Sequence, residues 1–277
     1  MKTKIASSEA KCERRERERQ SVSRKICSGC NRPPILCVCE SLPKEKITTS
    51  THVLVLQHPN EFKRKSVSTV PLMPLVLTNC KVQVGYDFKP ESLELVQKCL
   101  DEGKKPLLLF PGPDAISLDE EEYQNVKTQS DDSTDGSFGY VNDEGGQLLI
   151  LVDGTWAEAR RILIRSPALV DACQQVQFSS EYESIYEEVR KEPEKHCIST
   201  LEACAESLIL VEPDKNVGFK AKESLEVTMK HMVDVKKRIY KMRNPEPRFV
   251  RPGMRGAKIA ERGKEIEQSI FGKDADN

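Results

Sequence analysis

The chain has 277 residues, of which 38% are hydrophobic and 31% charged, and its formal net charge at pH 7 is −1. This length can bury a sizeable core, as one large domain with appendages. No apolar run approaches the roughly eighteen residues of a transmembrane helix, so we expect no membrane partner. The polar N-terminus lacks the apolar core of a signal peptide, and ten cysteines without a secretion signal are typical of a reducing compartment. We therefore expect a cytoplasmic or nuclear protein.

The N-terminal region combines a polar lead with a cluster of cysteines. Residues 1–25 are mixed in charge without apolar periodicity, and we interpret them as disordered. The segment CSGCNRPPILCVC then places four thiols close together, at Cys27, Cys30, Cys37 and Cys39. Four such thiolates suit a tetrahedral Zn²⁺ ion, which would be structural because no coordination position stays open. The alternative is a set of unligated thiols or a redox pair. We predict a zinc module over residues 26–45.

Short apolar runs predict the strands of the central region, residues 46–235, which we expect to form one α/β domain. Continuous runs of four to six apolar residues are typical of strands that are buried on both faces. We predict five strands, at 53–56, around Val82 and Val84 at an edge of the sheet, at the start of the segment 106–114, at 148–152 and, with a weaker pattern, at 176–178. We also predict two short helices between them, at 72–77 and 92–99.

A histidine follows the first of these strands, in the segment HVLVLQHPNEFKRKS. His58 is either an acid–base group or RNA contact, or an ordinary turn residue whose hydrogen bonds are satisfied locally. The sequence leaves both interpretations open.

The segment LLILVDGTWAEARRILIRSP, residues 148–167, joins a buried strand to a helix through a tight turn. Asp153 and Gly154 end the strand. Thr155 is a natural N-cap, and Glu158 three residues later completes a capping box, so the helix is predicted to begin at Trp156. Free N–H groups and the helix dipole make such a position suitable for an anionic or polar ligand. The alternative is an ordinary strand–turn–helix unit whose tryptophan packs in the core.

Two further loops have a related design. A Pro-Gly-Pro loop follows the strand at 106–109, and Ser199 with Glu202 forms a second capping box. If all three loops lie at the C-terminal edge of one sheet, they form a single binding crevice. The acidic segment 114–146 between them is predicted to be a surface insertion.

The C-terminal segment 236–277 is rich in Arg and Lys, interleaved with aromatic residues, Pro and Gly. Such a tail can lie along a phosphate backbone while its aromatic rings stack on bases. The alternative, which the composition supports equally well, is a solvated and disordered tail.

Taken in order, the four cysteines and the segments LQHPNE, LLLFPGPDA, LLILVDGTWAEARR and RKEP…ISTLEA resemble the DTW-domain family of tRNA-uridine aminocarboxypropyltransferases. The D-x-T-W signature of that family is matched by Asp153, Thr155 and Trp156. The resemblance covers about residues 25 to 212, and the joint occurrence of five motifs is far more specific than any one of them. One position departs from the family pattern, since Ser68 precedes Thr69 where the family commonly has Asn.

The resemblance implies a SPOUT-like α/β fold, with a mostly parallel sheet and a C-terminal trefoil knot around S-adenosylmethionine. It implies transfer of the 3-amino-3-carboxypropyl group of S-adenosylmethionine to N3 of a uridine in tRNA, with release of methylthioadenosine. It assigns the cofactor pocket to three loops, with Leu109, Phe110, Pro111 and Gly112 in the first, Gly154, Thr155 and Trp156 in the second, and Ser199, Thr200 and Glu202 in the third.

Asp153 is the expected catalytic residue. Its carboxylate either accepts or orients the uridine N3 proton, or holds the ammonium group of the cofactor. Basic side chains and one histidine are candidates for binding RNA, namely His58, Arg64, Arg160, Arg161, Arg165, Arg190 and Lys191. We expect tRNA as the partner and not DNA. A SPOUT-like methyltransferase and a non-catalytic zinc-dependent RNA-binding protein are the two alternative functions.

Overall fold

A computed structural model of the chain describes residues 26–63, 68–118, 146–178, 184 and 198–243. The chain divides into two compact units, Met1–Glu40 and Ser41–Asn277. The first contains the four-cysteine segment, and the second contains the sheet and the long helices. The division falls inside the zinc module that the sequence predicted to end at residue 45.

Six parallel strands form the sheet of the second unit. They are β1 (His52–Gln57), β2 (Cys80–Val84), β3 (Leu107–Leu109), β4 (Ile116–Ser117), β5 (Leu148–Asp153) and β6 (Gln174–Gln177). Their order is β2-β1-β5-β3-β6-β4, and every pairing between them is parallel. The α/β class with a mostly parallel sheet is therefore confirmed. β2 lies at one edge of the sheet, as its alternating sequence predicted.

Helices cover the sheet because strands buried on both faces need an apolar partner on each. The helices are α1 (Pro59–Lys63), α2 (Met73–Val76), α3 (Glu94–Asp101), α4 (Trp156–Arg165), α5 (Pro167–Ala172), α6 (Thr200–Val211) and α7 (Lys215–Arg243). On one face, Leu56 and Ile150 from the strands pack with Val96 of α3, Ile162 of α4 and Leu169 of α5. These residues form a continuous buried cluster.

Helix α6 runs the length of the sheet in the direction opposite to the strands. Thr200 at its start bonds to Asp153 at the end of β5, and Glu212 just past its end accepts hydrogen bonds from the backbone N–H groups of Ser50 and Thr51, before β1. Twelve helical residues rise about 18 Å, and a six-residue strand spans about 20 Å, so the lengths match. The helix is thereby fixed at both ends.

Helix α7 is the one long element that the sequence analysis did not predict. It has 29 residues and packs against α6 and α2. Ala221, Leu225, Met229 and Met232 are buried along one side, at the spacing of an amphipathic helix. The basic segment predicted to begin at Lys236 starts inside this helix, and residues 244–277 lie outside the described part of the chain.

The predicted acidic insertion over residues 114–146 is corrected at both ends. Ile116–Ser117 forms β4 against β6, and Leu118 is fully buried, because Ile116 and Leu118 supply apolar side chains where the sheet is extended. At the other end Gly146 is buried, and a Cβ atom there would collide with the carbonyl group of Ser50. Residues 119–145 lie outside the described residues, as does most of the path from 179 to 197, so the trefoil knot stays a prediction.

None of the described helices has the length and apolar composition needed to cross a membrane.

The central position of β5 can be tested with two isoleucines of opposite exposure. Ile150 is fully buried in β5, whereas the Ile164 side chain on α4 is 79% exposed. We expect Ile150→Ala to lower the free energy of unfolding by about 2–5 kcal/mol, because it leaves a cavity between sheet and helices. Ile164→Ala should change it by less than about 0.5 kcal/mol. Urea denaturation followed by circular dichroism measures both, and equal losses would contradict the assigned core.

Candidate functional site

The Asp153 carboxylate is held between two other elements at the C-terminal edge of the sheet. Gln57, the last residue of β1, donates from Nε2 to Oδ2 at 2.8 Å, and Thr200, the first residue of α6, donates from Oγ1 to Oδ1 at 2.7 Å. Asp153 is only 8% exposed. The two bonds fix the orientation of the carboxylate. A carboxylate can accept about four hydrogen bonds, so these two bonds alone do not occupy all of its acceptor positions.

Gln57 is a site residue that the sequence analysis missed. It is aligned with Asp153 in the parallel register of β1 and β5, which places both side chains on the same face of the sheet. Its Nε2 atom also lies 3.4 Å from Oγ of the buried Ser68, at the position where the chain departs from the family pattern. The sequence signal that could have identified Gln57 was its position as a polar residue at the end of an apolar strand, directly before His58.

The turn after β5 is built as the sequence predicted. Thr155 Oγ1 accepts from the Glu158 backbone N–H at 3.3 Å, and the Thr155 N–H donates to Glu158 Oε2 at 3.0 Å, which confirms the capping box. A Cβ atom at Gly154 would lie 3.0 Å from Glu158 Cβ and 3.4 Å from His58 Cβ, so the absence of a side chain permits close packing here. Burial raises the pKa of Glu158, but hydrogen bonds from Asn60 and Thr155 outweigh it and lower this pKa to about 2.

The second capping box is also confirmed. The Ser199 N–H donates to Glu202 Oε2 at 2.7 Å, and the Glu202 N–H donates to Ser199 Oγ at 3.3 Å. The buried Glu202 carboxylate accepts in addition from Ser184 Oγ, at 2.9 and 3.1 Å. These contacts hold the start of α6 in place, so that Thr200 reaches Asp153.

Trp156 is not a core residue, so the alternative that its ring packs in the interior is wrong. Its side chain is 42% exposed and meets Phe110, with ring centroids 5.7 Å apart and an interplanar angle of 61°. Phe110 follows β3, and a Cβ atom on Gly112 in the same loop would lie 3.1 Å from the Gln175 side chain. The structure therefore brings the loops after β3 and β5 together, and the bond from Thr200 adds the start of α6 to the same edge.

His58 lies beneath the surface beside this turn. Its backbone N–H donates to the Asp153 carbonyl at 2.8 Å, and its side chain is 2% exposed. Nδ1 accepts from the Asn60 backbone N–H at 3.2 Å and lies 3.5 Å from Glu158 Oε1. A buried ring in these contacts does not lie on a phosphate-binding surface, whereas Arg160, Arg161 and Arg165 are exposed on α4. Three other candidates for binding RNA lie outside the described residues, namely Arg64, Arg190 and Lys191.

The first unit brings its four cysteines together. All four Sγ atoms lie within 4.8 Å of one another. Cys27 Sγ is 3.4 Å from Cys39 Sγ and 3.6 Å from Cys37 Sγ, and the sulfurs of Cys30 and Cys37 are 3.7 Å apart. A tetrahedral Zn²⁺ ion with bonds of about 2.3 Å separates its sulfur ligands by roughly 3.8 Å, so these thiols fit a metal ion.

The segment that carries the first two cysteines, residues 27–31, is shaped for this arrangement. Asn31 adopts φ of 54°, a left-handed conformation that Asn tolerates better than most residues. A Cβ atom on Gly29 would lie 2.9 Å from Cys39 Sγ, closer than side chains pack. Hydrogen bonds from the backbone of Cys30 and then Gly29 lower the pKa of the Cys27 thiol to about 6, whereas the side-chain contact with Cys27 raises the pKa of the Cys39 thiol to about 12.

Several curated proteins are similar in sequence to this chain. tRNA-uridine aminocarboxypropyltransferase 2 of Macaca fascicularis is 32% identical over 194 residues, which cover 69% of this chain and 58% of that protein. The Drosophila melanogaster protein of the same name is 30% identical over 76% of each chain. tRNA-uridine aminocarboxypropyltransferase A of Arabidopsis thaliana is 25% identical over 82% of this chain and 87% of its own length. The chain thus spans little more than half of the macaque protein. No solved structure gives a significant match.

A family profile described as the DTW domain matches residues 24–237, which include both the cysteine cluster and the sheet. The signature residues Asp153, Thr155 and Trp156 lie inside the matched range, in the turn that carries the buried carboxylate. The chain belongs to the DTW-domain family.

Proposed function

We propose that the protein transfers the 3-amino-3-carboxypropyl group of S-adenosylmethionine to N3 of a uridine in tRNA, releasing methylthioadenosine. The observation that carries this proposal is the Asp153 carboxylate, held by Gln57 and Thr200 at the C-terminal edge of a parallel sheet. Ligands of open parallel sheets bind at this edge. Membership of the DTW-domain family and the names of the relatives support the same activity.

The residues at this edge suit the donor substrate. The capped N-termini of α4 and α6 favour its carboxylate, since the positive end of each helix dipole lies there. The exposed ring of Trp156 and the partly buried ring of Phe110 offer an apolar face for adenine. We also infer a SPOUT-like arrangement with a C-terminal trefoil knot, which the family resemblance and the parallel sheet support.

The proposed reaction requires the protein to select one of the three carbons that are bonded to the sulfur of the donor. The sulfonium of the donor activates all three equally, so the protein selects the aminocarboxypropyl carbon by placing uridine N3 in line with it. The rigid carboxylate of Asp153 can accept the N3 proton or hold the donor's ammonium group, and its two fixed hydrogen bonds suit either role. Because N3 lies on the Watson–Crick edge, the target uridine must be unpaired.

The direct test is to incubate the protein with unmodified tRNA and S-adenosylmethionine and to analyse nucleosides and small molecules by mass spectrometry. We expect a uridine that carries the aminocarboxypropyl group, with methylthioadenosine in equal amount. A methylated nucleoside with S-adenosylhomocysteine would instead identify a methyltransferase. No reaction and no donor binding by calorimetry would favour a non-catalytic RNA-binding protein.

Asp153 can be tested against an exposed aspartate of the same fold. We expect Asp153→Asn to lower kcat/KM by about 10²–10⁴-fold, the usual contribution of a positioned acid–base group. Asp171→Asn on α5 should leave it unchanged, because Asp171 is exposed and outside the site. A fall in kcat indicates the proton-accepting role, and a rise in the donor KM indicates the ammonium-binding role. Wild-type kinetics in Asp153→Asn would refute both.

We further infer that the metal ion of the first unit is zinc, because four thiolates in a tetrahedral arrangement are a typical zinc ligand set. The purified protein should contain about one zinc per chain, and Cys27→Ser should lose it. Cys173→Ser is the control, since Cys173 lies outside the cluster. Metal content by mass spectrometry measures both variants. Full zinc occupancy in Cys27→Ser would contradict the assignment.

The basic C-terminal segment should contribute to tRNA binding through counterion release. Deleting residues 244–277 leaves α7 intact and should weaken binding more at 50 mM salt than at 200 mM salt, values typical of such titrations. Deleting only residues 265–277 removes the acidic end and keeps the basic segment, so it should have little effect. Filter binding across a salt series measures both. A loss independent of salt would indicate a structural role for the segment.

A further inference from the structure

Exposed aromatic side chains gather at the edge of the sheet that carries Asp153. Four aromatic side chains are exposed in the described part of the chain, and three of them directly follow strands at this edge. Phe62 lies on α1 after β1, Tyr86 comes two residues after β2, and Trp156 comes three residues after β5. The fourth, Phe219, lies elsewhere. Aromatic faces at a ligand edge are the usual platforms for unpaired bases.

The Tyr86 ring packs against a buried polar group beside the site. Its ring meets the His58 imidazole edge to face, with centroids 5.1 Å apart and an interplanar angle of 86°. The Gly85 N–H donates to the Gln57 carbonyl at 3.1 Å, which draws the chain after β2 towards the end of β1. His58 in turn donates its backbone N–H to the Asp153 carbonyl. Tyr86 therefore lies beside the carboxyl ends of β1 and β5, and 46% of it is exposed.

The His58 ring carries a buried donor that the site described above does not use. Nδ1 accepts from the Asn60 N–H, which leaves Nε2 as the ring nitrogen that can donate a hydrogen bond. Nε2 is buried, and no hydrogen-bond partner for it occurs among the described residues. Ring geometry directs Nε2 away from Asn60 and Glu158, which contact Nδ1. A buried N–H without an acceptor is unfavourable, and an oxygen of a bound ligand would satisfy it.

We propose that Tyr86 and His58 form the subsite for the unpaired uracil. The base stacks on the Tyr86 ring, and one of its carbonyl oxygens accepts the hydrogen bond from His58 Nε2. The two carbonyls of uracil flank N3, so this contact would hold the N3 edge on the side of the base that faces His58, at the carboxyl ends of β1 and β5. The inference rests on the proposed function for the identity of the base. The stacking itself needs only an RNA ligand with an unpaired nucleotide.

The first experiment measures stacking without the transfer reaction. A fluorescent RNA hairpin with one uridine in its loop is titrated with protein in the absence of donor, beside the same hairpin with an abasic site at that position. Wild-type protein should bind the uridine hairpin about 5- to 150-fold more tightly than the abasic one, the range that base–aromatic stacking provides. Tyr86→Ala should abolish this difference, and Tyr86→Phe should restore it.

Phe219→Ala is the matched control. Phe219 is 58% exposed and follows Gly218, which packs against the end of α6 at the opposite edge of the sheet. This variant should retain the wild-type preference for the uridine hairpin. A preference that survives in Tyr86→Ala, or that is lost equally in Phe219→Ala, would overturn the assignment of Tyr86.

The second experiment observes His58 directly. The chain has four histidines, so ¹⁵N-histidine labelling gives a spectrum simple enough to assign with a His58→Gln variant. The Nε2 resonances of His58 should shift when the uridine hairpin binds and stay in place with the abasic hairpin. If instead the Tyr86 ring satisfies this N–H as a weak acceptor, both hairpins leave the resonances unchanged, and the His58 contact is refuted.

These experiments distinguish failure of the base-binding subsite from failure of the proposed transferase activity. Base-dependent binding that needs Tyr86, in a protein that transfers nothing, would refute the transferase and retain a base-binding subsite. Transfer to tRNA with an unchanged tRNA KM in Tyr86→Ala would support the transferase and refute the subsite.

Discussion

The bond between the Asp153 carboxylate and Thr200 is the contact on which the arrangement of the site depends. Together with the bond from Gln57, it joins β1, β5 and α6 at a single charged group. Glu212 fixes the other end of α6 through the backbone before β1. A buried carboxylate is tolerated only when donors compensate its lost hydration, so these bonds both stabilise the fold and orient the group. The same geometry then sets what the edge can bind.

The rest of the edge follows from parallel sheet topology. Because all six strands run in one direction, the turns after β1, β3 and β5 meet at their carboxyl ends. The two capping boxes use side chains of their own helices to fix where α4 and α6 begin. The core beneath is apolar, whereas the edge combines a carboxylate, a buried imidazole and exposed rings. In the reaction we propose, position selects the product, since the donor would itself supply the activated carbon.

The elements with strong local signals were predictable from the sequence. The apolar runs of β1 and β5 and the capping boxes of α4 and α6 were confirmed, because each depends on residues close together in the chain. Gln57 was missed because its role arises from the register between two strands that are distant in sequence. The two-residue β4 is too short to show a period. The amphipathic pattern of α7 depends on residues close together in the chain, so this helix was also predictable from the sequence.

The central claim is that the Asp153 edge directs the aminocarboxypropyl group, and not the methyl group, to tRNA. The most direct test uses S-adenosylmethionine labelled in two separate preparations, on the methyl carbon or on the carboxyl carbon. Label retained in tRNA after each reaction is then counted for the wild-type protein and for Asp153→Asn. The account predicts that only the carboxyl label enters tRNA, and that Asp153→Asn reduces its transfer strongly. Incorporation of the methyl label, or undiminished transfer by the variant, would contradict it.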